Sequence, residues 1–202
     1  MNPTASRARK RILELLVIGA AVLLQFAARS SLADHYIVPT GSMEQTIHPG
    51  DRILVDKRAY GLRVPFTRLE LVPGARPARG EIAVFDSPEN GIRLIKRVVA
   101  ISGDVVEVRK GRVIVNGKPL ALPPDGQHER FGARTSDLEL CFGGGPDIGP
   151  VRVPDGSVLL LGDARGNSRD GRTFGFVRED RLYARAISVF FRTDRGFVWQ
   201  TL

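Results

Sequence analysis

From Tyr36 onward the chain is a succession of short β-branched or apolar runs closed by turn residues, at 52–56, 81–85, 94–101, 105–109, 113–115, 157–161 and 186–191. Runs this short, without a sustained 3.6-residue period, are strands. A chain that repeats them is confined to a sheet. Composition agrees, since 22 Gly and 13 Pro supply turns rather than a helical bundle, and 43% hydrophobic residues suffice for a core. The expected fold class is therefore mostly β. The clearest hairpin joins 105–109 to 112–115 across Lys110-Gly111, and Asn116-Gly117 supplies the next turn. Residues 119–154, rich in Pro, Gly and charge and including Gly143-Gly144-Gly145-Pro146, hold no sustained period and read as a loop-rich insertion. A weak helical turn is expected at 178–182, and no internal repeat is visible.

Ahead of the sheet region, residues 12–28 read ILELLVIGAAVLLQFAA. As a helix this stretch would be about 26 Å long, enough to cross a bilayer. Arg7, Arg9, Lys10 and Arg11 precede it without an acid, which places the N-terminus in the cytoplasm and sends the rest of the chain to the far side. The expected organisation is a basic cytoplasmic tail (1–11), a single transmembrane anchor (12–28) and an extracytoplasmic domain (29–202). Two other readings of the stretch exist. A cleavable signal peptide would use Ser31-Leu32-Ala33, but the apolar run is longer than usual for one and Arg29 interrupts it. A buried helix of a soluble domain would show one apolar face rather than apolar residues all round.

The formal net charge is +8, and half of it sits in residues 1–11. What remains lacks an RNA-binding aromatic signature or zinc-finger spacing, so nucleic acid is not an expected partner. Cys141 is the single cysteine, which excludes an intramolecular disulfide and a Cys-x-x-Cys metal site.

Three regions carry chemistry-bearing residues. None of His35, His48 and His128 has a setting that suits a general base, so a hydroxyl nucleophile here would need lysine instead. Ser42 follows Thr40-Gly41, which permits an unusual backbone, although the same residues also read as a plain turn after the apolar segment. Lys96 lies in the run Leu94-Ile95-Lys96-Arg97-Val98-Val99-Ala100-Ile101, where strand alternation would bury one face and lower its pKa; an edge strand would leave it solvated. Lys96 and Arg97, adjacent in one strand, must point to opposite faces. The third region is the polar loop Gly162-Asp163-Ala164-Arg165-Gly166-Asn167-Ser168-Arg169-Asp170-Gly171-Arg172, directly after the apolar run 157–161.

Together, in this order, these motifs resemble the bacterial type I signal peptidases, membrane-bound Ser/Lys enzymes that remove signal peptides from exported proteins. The resemblance covers the apolar segment, Thr40-Gly41-Ser42-Met43 with Gly50-Asp51 and Val55-Asp56-Lys57, Lys96-Arg97-Val98-Val99 with Gly103-Asp104, Asn116-Gly117-Lys118-Pro119-Leu120, and Gly162-Asp163 through Gly175. It implies a β-rich catalytic core with a variable β insertion at about 119–154. It implies Ser42 as acylating nucleophile, Lys96 as general base, Ser168 as the hydroxyl that orients the lysine, and Thr40 as an oxyanion-hole donor beside the Ser42 amide. Asp170 and Arg172 match structural supports, and Val38, Met43, Ile47, Leu94 and Ile95 match pocket-lining positions. No cofactor or metal is implied. The partners implied are signal-peptide-bearing preproteins and the lipid bilayer, with a monomeric enzyme on the outer face of the inner membrane.

Gln45 departs from the family, standing where proline is common, as do Ala164 and Gly171 in the last motif. Two other functions fit the same resemblance less fully: a Ser/Lys maturase dedicated to one pilin or conjugation substrate, and a non-catalytic, membrane-anchored β-domain that binds peptide.

Overall fold

The computed structural model describes residues 33–63, 70–72, 74–124 and 126–202, together with residue 14 and residues 17–19, which are helical. The anchor expected at 12–28 thus falls almost wholly outside the described residues, as does the basic tail. Among the described residues no helix is long and apolar enough to cross a membrane.

In chain order the strands are β1 (Ala33–Ile37), β2 (Arg52–Asp56), β3 (Leu62–Arg63), β4 (Glu70–Val72), β5 (Ile82–Asp86) and β6 (Arg93–Ile101). They continue with β7 (Val105–Arg109), β8 (Arg112–Val115), β9 (Lys118–Pro119), β10 (His128–Phe131), β11 (Arg134–Asp137) and β12 (Ile148–Arg152). The last four are β13 (Ser157–Leu161), β14 (Val177–Arg178), β15 (Leu182–Arg192) and β16 (Gly196–Thr201). A single α-turn, α1 (Gly171–Phe174), and 3₁₀ turns at Gly41–Met43, Arg165–Asn167 and Glu179–Arg181 complete the described elements. The last of these meets the helical turn expected at 178–182.

The mostly β expectation holds. The main sheet runs β1-β2-β15-β5-β6-β13-β14, with β16 added beside the C-terminal half of β15. A second sheet, β12-β7-β8-β9, carries the expected hairpin, in which Arg109 pairs with Arg112. Its turn has Lys110 at φ 48° and Gly111 at φ 79°, and Asn116-Gly117 repeats the pattern at φ 53° and 75°. Two successive left-handed residues give the turn whose twist matches that of the flanking strands.

β6 and β13 explain where the core sits. All five residues of β13 are buried, because β6 and β14 flank it and side chains pack on both its faces. Along β6, Val99 packs with Val106, Val108, Val113 and Leu161, whereas its neighbour Val98 packs on the opposite face with Phe85, Leu160 and Leu182. A third cluster, including Val38, Met43, Ile47, Ile53 and Val55, lies under β1, β2 and the segment between them. Each fully buried aliphatic side chain here contributes about 1.5–3 kcal/mol.

The structure extends the sequence reading in several places. The insertion is not only loop: β10 pairs with β11, and β12 returns to pair with β7. The run expected at 186–191 is part of a longer strand, where Leu182, Ala184 and Ala186 are buried and Tyr183 and Arg185 alternate with them. Arg185 hides that period in the sequence, and its guanidinium is held by Glu81 at 3.0 Å.

Candidate active site

After β1 the backbone of Val38 is clamped from both sides: its amide donates to Asp51 O at 2.9 Å, and its carbonyl accepts from Gly50 N at 2.7 Å. The segment between must turn sharply, and it does so through the 3₁₀ turn Gly41–Met43, closed by the Glu44 amide donating to Gly41 O at 3.0 Å. Met43 is fully buried and packs with Val38 and Ile47, which pins the turn to the core. Ser42, one residue earlier, is held at the surface of that core with 7% exposure. Thr40 precedes the turn in extended conformation, exposed, with no hydrogen bond from its side chain to the turn. Amides in the first turn of a helix have no partner inside it, which leaves the Ser42 N–H without one in its own turn.

Lys96 reaches this turn from the middle of β6, where its backbone pairs with Ala83. Its Nζ lies 2.6 Å from Ser42 Oγ, and the residue is 3% exposed. Burial disfavours the ammonium and brings its pKa from the ordinary 10.5 to about 8; Asp170 and Asp163 oppose this, and Arg172 adds to it. A substantial fraction of neutral amine is therefore present at pH values where an exposed lysine is fully charged.

Arg97 points the other way, as strand alternation demands, and it is equally buried. It forms a two-pronged pair with Asp163, Nε to Oδ1 at 2.8 Å and Nη2 to Oδ2 at 2.6 Å, and its Nη1 donates to Gly80 O at 2.9 Å. Asp163 also accepts from the Thr46 hydroxyl at 2.6 Å. One carboxylate thus ties β6, the segment that carries Ser42 and the loop after β13.

That loop is folded on itself. Asp170 and Arg172 pair through two bonds of 2.8 Å, both side chains almost wholly buried, and Asp170 Oδ2 accepts from Gly162 N at 3.0 Å. The Ala164 amide donates to Ser42 O at 3.2 Å. Gly162 has to be glycine, since a Cβ there would lie 2.4 Å from Ser42 O and 2.3 Å from Ser168 Oγ. Ser168 Oγ is buried and has no hydrogen-bond partner among the described residues. The bond to Lys96 that the resemblance implies is not made in this structure, and the hydroxyl is left with a donor and an acceptor to offer.

The five expected pocket residues divide. Val38, Met43 and Ile47 are buried in the core cluster, while Leu94 and Ile95, at the start of β6, are partly exposed and packed against two different clusters. Near them Arg93 Nη1 donates to the Tyr36 hydroxyl at 3.2 Å, which brings β1 and the start of β6 together beside the nucleophile turn. Ile37 and Ile92 stand exposed at this junction. The histidines are engaged elsewhere: His35 meets the Phe190 ring edge-on, and His128 faces Asp137 across the β10–β11 hairpin at 2.7 Å.

The sequence places Arg97 on the face of its strand opposite Lys96, and Asp163 and Arg165 in the polar loop, without giving any of them, or Thr46, an individual role. Arg97 carries a signal, because a guanidinium in an apolar strand needs a buried carboxylate, and Asp163 closely follows the apolar run 157–161. A serine hydroxyl, an amine lowered to about 8 and an amide without a partner in its own turn are parts that acyl transfer uses.

Comparison with known proteins agrees with this geometry. The family described as "Signal peptidase, peptidase S26" matches residues 10–191. A probable signal peptidase I-2 from Synechocystis is 35% identical over 182 residues, covering 87% of this chain and 71% of that protein. Signal peptidase I of Leptolyngbya laminosa is 31% identical, covering 88% of this chain and 78% of its own length. Signal peptidase I T of Bacillus subtilis is 30% identical, covering 85% and 80%. A match that takes in the Ser42 turn, β6 and the loop after β13 in one alignment means that this chain belongs to the signal peptidase, peptidase S26 family.

Proposed function

We propose that this chain is a membrane-anchored serine endopeptidase that removes N-terminal signal peptides from exported preproteins through a Ser42/Lys96 dyad. The observation that carries the reading is the 2.6 Å approach of Lys96 Nζ to Ser42 Oγ, made by a lysine whose burial brings its pKa to about 8.

Neutral Lys96 takes the Ser42 proton as Oγ attacks the scissile carbonyl carbon. The C–O bond forms while the carbonyl π electrons move to oxygen, and the oxyanion is met by the Ser42 amide and the Thr40 hydroxyl. Collapse breaks the C–N bond, and the Lys96 ammonium returns the proton to the amine of the mature chain. Water, deprotonated by Lys96, then hydrolyses the ester and releases the signal peptide. Ser168, whose buried hydroxyl makes no bond to Lys96 in this structure, would orient the amine toward Ser42 once that hydroxyl rotates to Nζ. Asp170 and Arg172 keep that loop in place.

The substrate enters as an extended strand at the junction of β1 and β6, where Ile37 and Ile92 are exposed. Leu94 and Ile95 border small pockets whose floor is Val38, Met43 and Ile47, so that bulky side chains are shut out by steric exclusion. Residues 12–28 hold the enzyme in the inner membrane as a single span. The domain at 29–202, with its insertion at about 119–154, acts as a monomer on the outer face, where signal-peptide junctions emerge from the lipid.

The test is incubation of the detergent-solubilised chain with a preprotein, followed by sequencing of the new N-terminus. Cleavage after a small residue at the signal-peptide junction is expected, with none by a folded Ser42→Ala chain. Undiminished cleavage by that variant would overturn the assignment.

A further inference from the structure

Besides the Arg97–Asp163 and Asp170–Arg172 pairs, the loop after β13 supplies one partner of an ion pair that the acyl-transfer steps do not use. Arg165 and Glu129 are both fully buried, with Arg165 Nη2 donating to Glu129 Oε2 at 2.6 Å and Nη1 to Oε1 at 3.2 Å. Glu129 belongs to β10, inside the insertion, and its Oε1 also accepts from Val113 N in β8 at 2.9 Å. The remaining donors of Arg165 reach two backbone carbonyls, Gly162 O from Nε at 2.9 Å and Gly111 O in the β7–β8 turn from Nη1. The backbone of Arg165 is held as well: its amide donates to Glu139 O at 3.0 Å, and its carbonyl accepts from Arg172 Nη2 at 2.6 Å.

Such a pair is a poor device for stability alone, because two charges withdrawn from water lose hydration that their attraction barely restores. What it does well is fix geometry, since a planar guanidinium and a carboxylate accept one arrangement. Here that arrangement ends on Gly162, the residue whose missing Cβ leaves room for both Ser42 O and Ser168 Oγ.

We infer that Glu129 and Arg165 are positioning residues for the Ser42/Lys96 dyad, so that the insertion at 119–154 sets the placement of the base instead of standing apart from it. The chain of contacts is Glu129, Arg165, Gly162, then Ser42 and Ser168 on either side. This inference rests on the peptidase reading above. If the pair loosens, the strip from Gly162 to Ser168 shifts and water reaches Lys96, which Asp163, Asp170 and Arg172 face from the same loop.

Glu129→Gln keeps the shape and removes the charge, and Arg165→Lys keeps the charge and removes the fork. Both are assayed below their melting temperatures on a preprotein, beside Arg130→Ala, a change at an exposed neighbour on β10. An NMR titration of the Lys96 ε-carbon in all three reads the base independently of turnover. The expected result for the first two is a 10- to 100-fold lower kcat per folded molecule with KM within about twofold. The Lys96 titration should move up from about 8 toward 10.5, and Arg130→Ala should resemble the parent.

Unchanged kcat and an unmoved titration in either folded variant overturn the inference, and loss of the fold in both assigns the pair to stability alone and overturns it equally. Absence of cleavage by the parent chain would instead count against the peptidase reading, while the Lys96 titration still decides the positioning role.

Discussion

Lys96 Nζ and Ser42 Oγ meet at 2.6 Å although 54 positions separate them in the chain. β6 and the clamped segment after β1 achieve this, each anchored independently in the core. In the proposed mechanism the hydroxyl is activated only when the amine is neutral. Cleavage should therefore increase with pH along a limb centred near 8, the value to which burial brings the lysine. Measurement of kcat/KM from pH 5 to pH 10 checks this, and a flat profile would exclude lysine as the base.

The same burial has a cost to folding. Because the pKa of Lys96 is lower in the folded chain than in the unfolded one, the unfolded chain binds more protons between pH 8 and 10.5. Stability thus climbs with pH across that window, and the full penalty is present below it. Lys96→Met should be inactive yet more stable than the parent at pH 7, by on the order of 3 kcal/mol. Urea unfolding at pH 7 and again above pH 10 should show that advantage shrinking.

Asp163→Asn would leave the Arg97 guanidinium buried without its counter-charge, which costs roughly 3–5 kcal/mol. Thr46→Val removes one hydrogen bond to the same carboxylate and should cost only about 1–2 kcal/mol. Denaturant midpoints of the two variants give the comparison; similar losses would mean that Asp163 does not bear the load assigned to it.

Gly162→Ala should abolish turnover far more than it lowers the melting temperature. The added methyl would collide with Ser42 O and Ser168 Oγ at once, and both belong to the reacting region. A kcat within tenfold of the parent would show that the strip can give way without harm.

Gln45 sits at φ 80°, with its amide donating to Glu139 Oε2 at 2.7 Å. Proline, common here in relatives, requires φ near −65°. Gln45→Pro should accordingly lower the melting temperature more than Gln45→Gly, since glycine accepts the left-handed backbone freely. Thermal scans of both variants test whether this turn has left the proline-compatible conformation.

Which parts of this were readable beforehand follows from the range of the forces involved. The hairpin at Lys110-Gly111 was legible because two adjacent residues dictate its turn. β13 was legible because an unbroken apolar run has nowhere to go but inside. β16 was not, since its outward residues Phe197 and Trp199 are aromatic and erase the apolar/polar alternation that marks a half-buried strand. β10 was missed for a related reason: Glu129 occupies an inward position, and a buried acid looks polar until its arginine is known. At the site, Lys96 and Ser42 stood out by residue type and motif. Thr46 did not, and Asp163 did so only as part of its motif, because the contact between them spans 117 positions.

The placement of Lys96 and Arg97 on opposite faces of β6 has a consequence for quality control. A strand mispaired by one residue turns each side chain to the other face. In such a molecule the group presented to Ser42 would be a guanidinium, which never gives up its proton in a protein. A copy with its sheet in the wrong register is therefore inert, and a hydrolase that acts on peptide bonds acquires its cutting power only once its strands have found their partners.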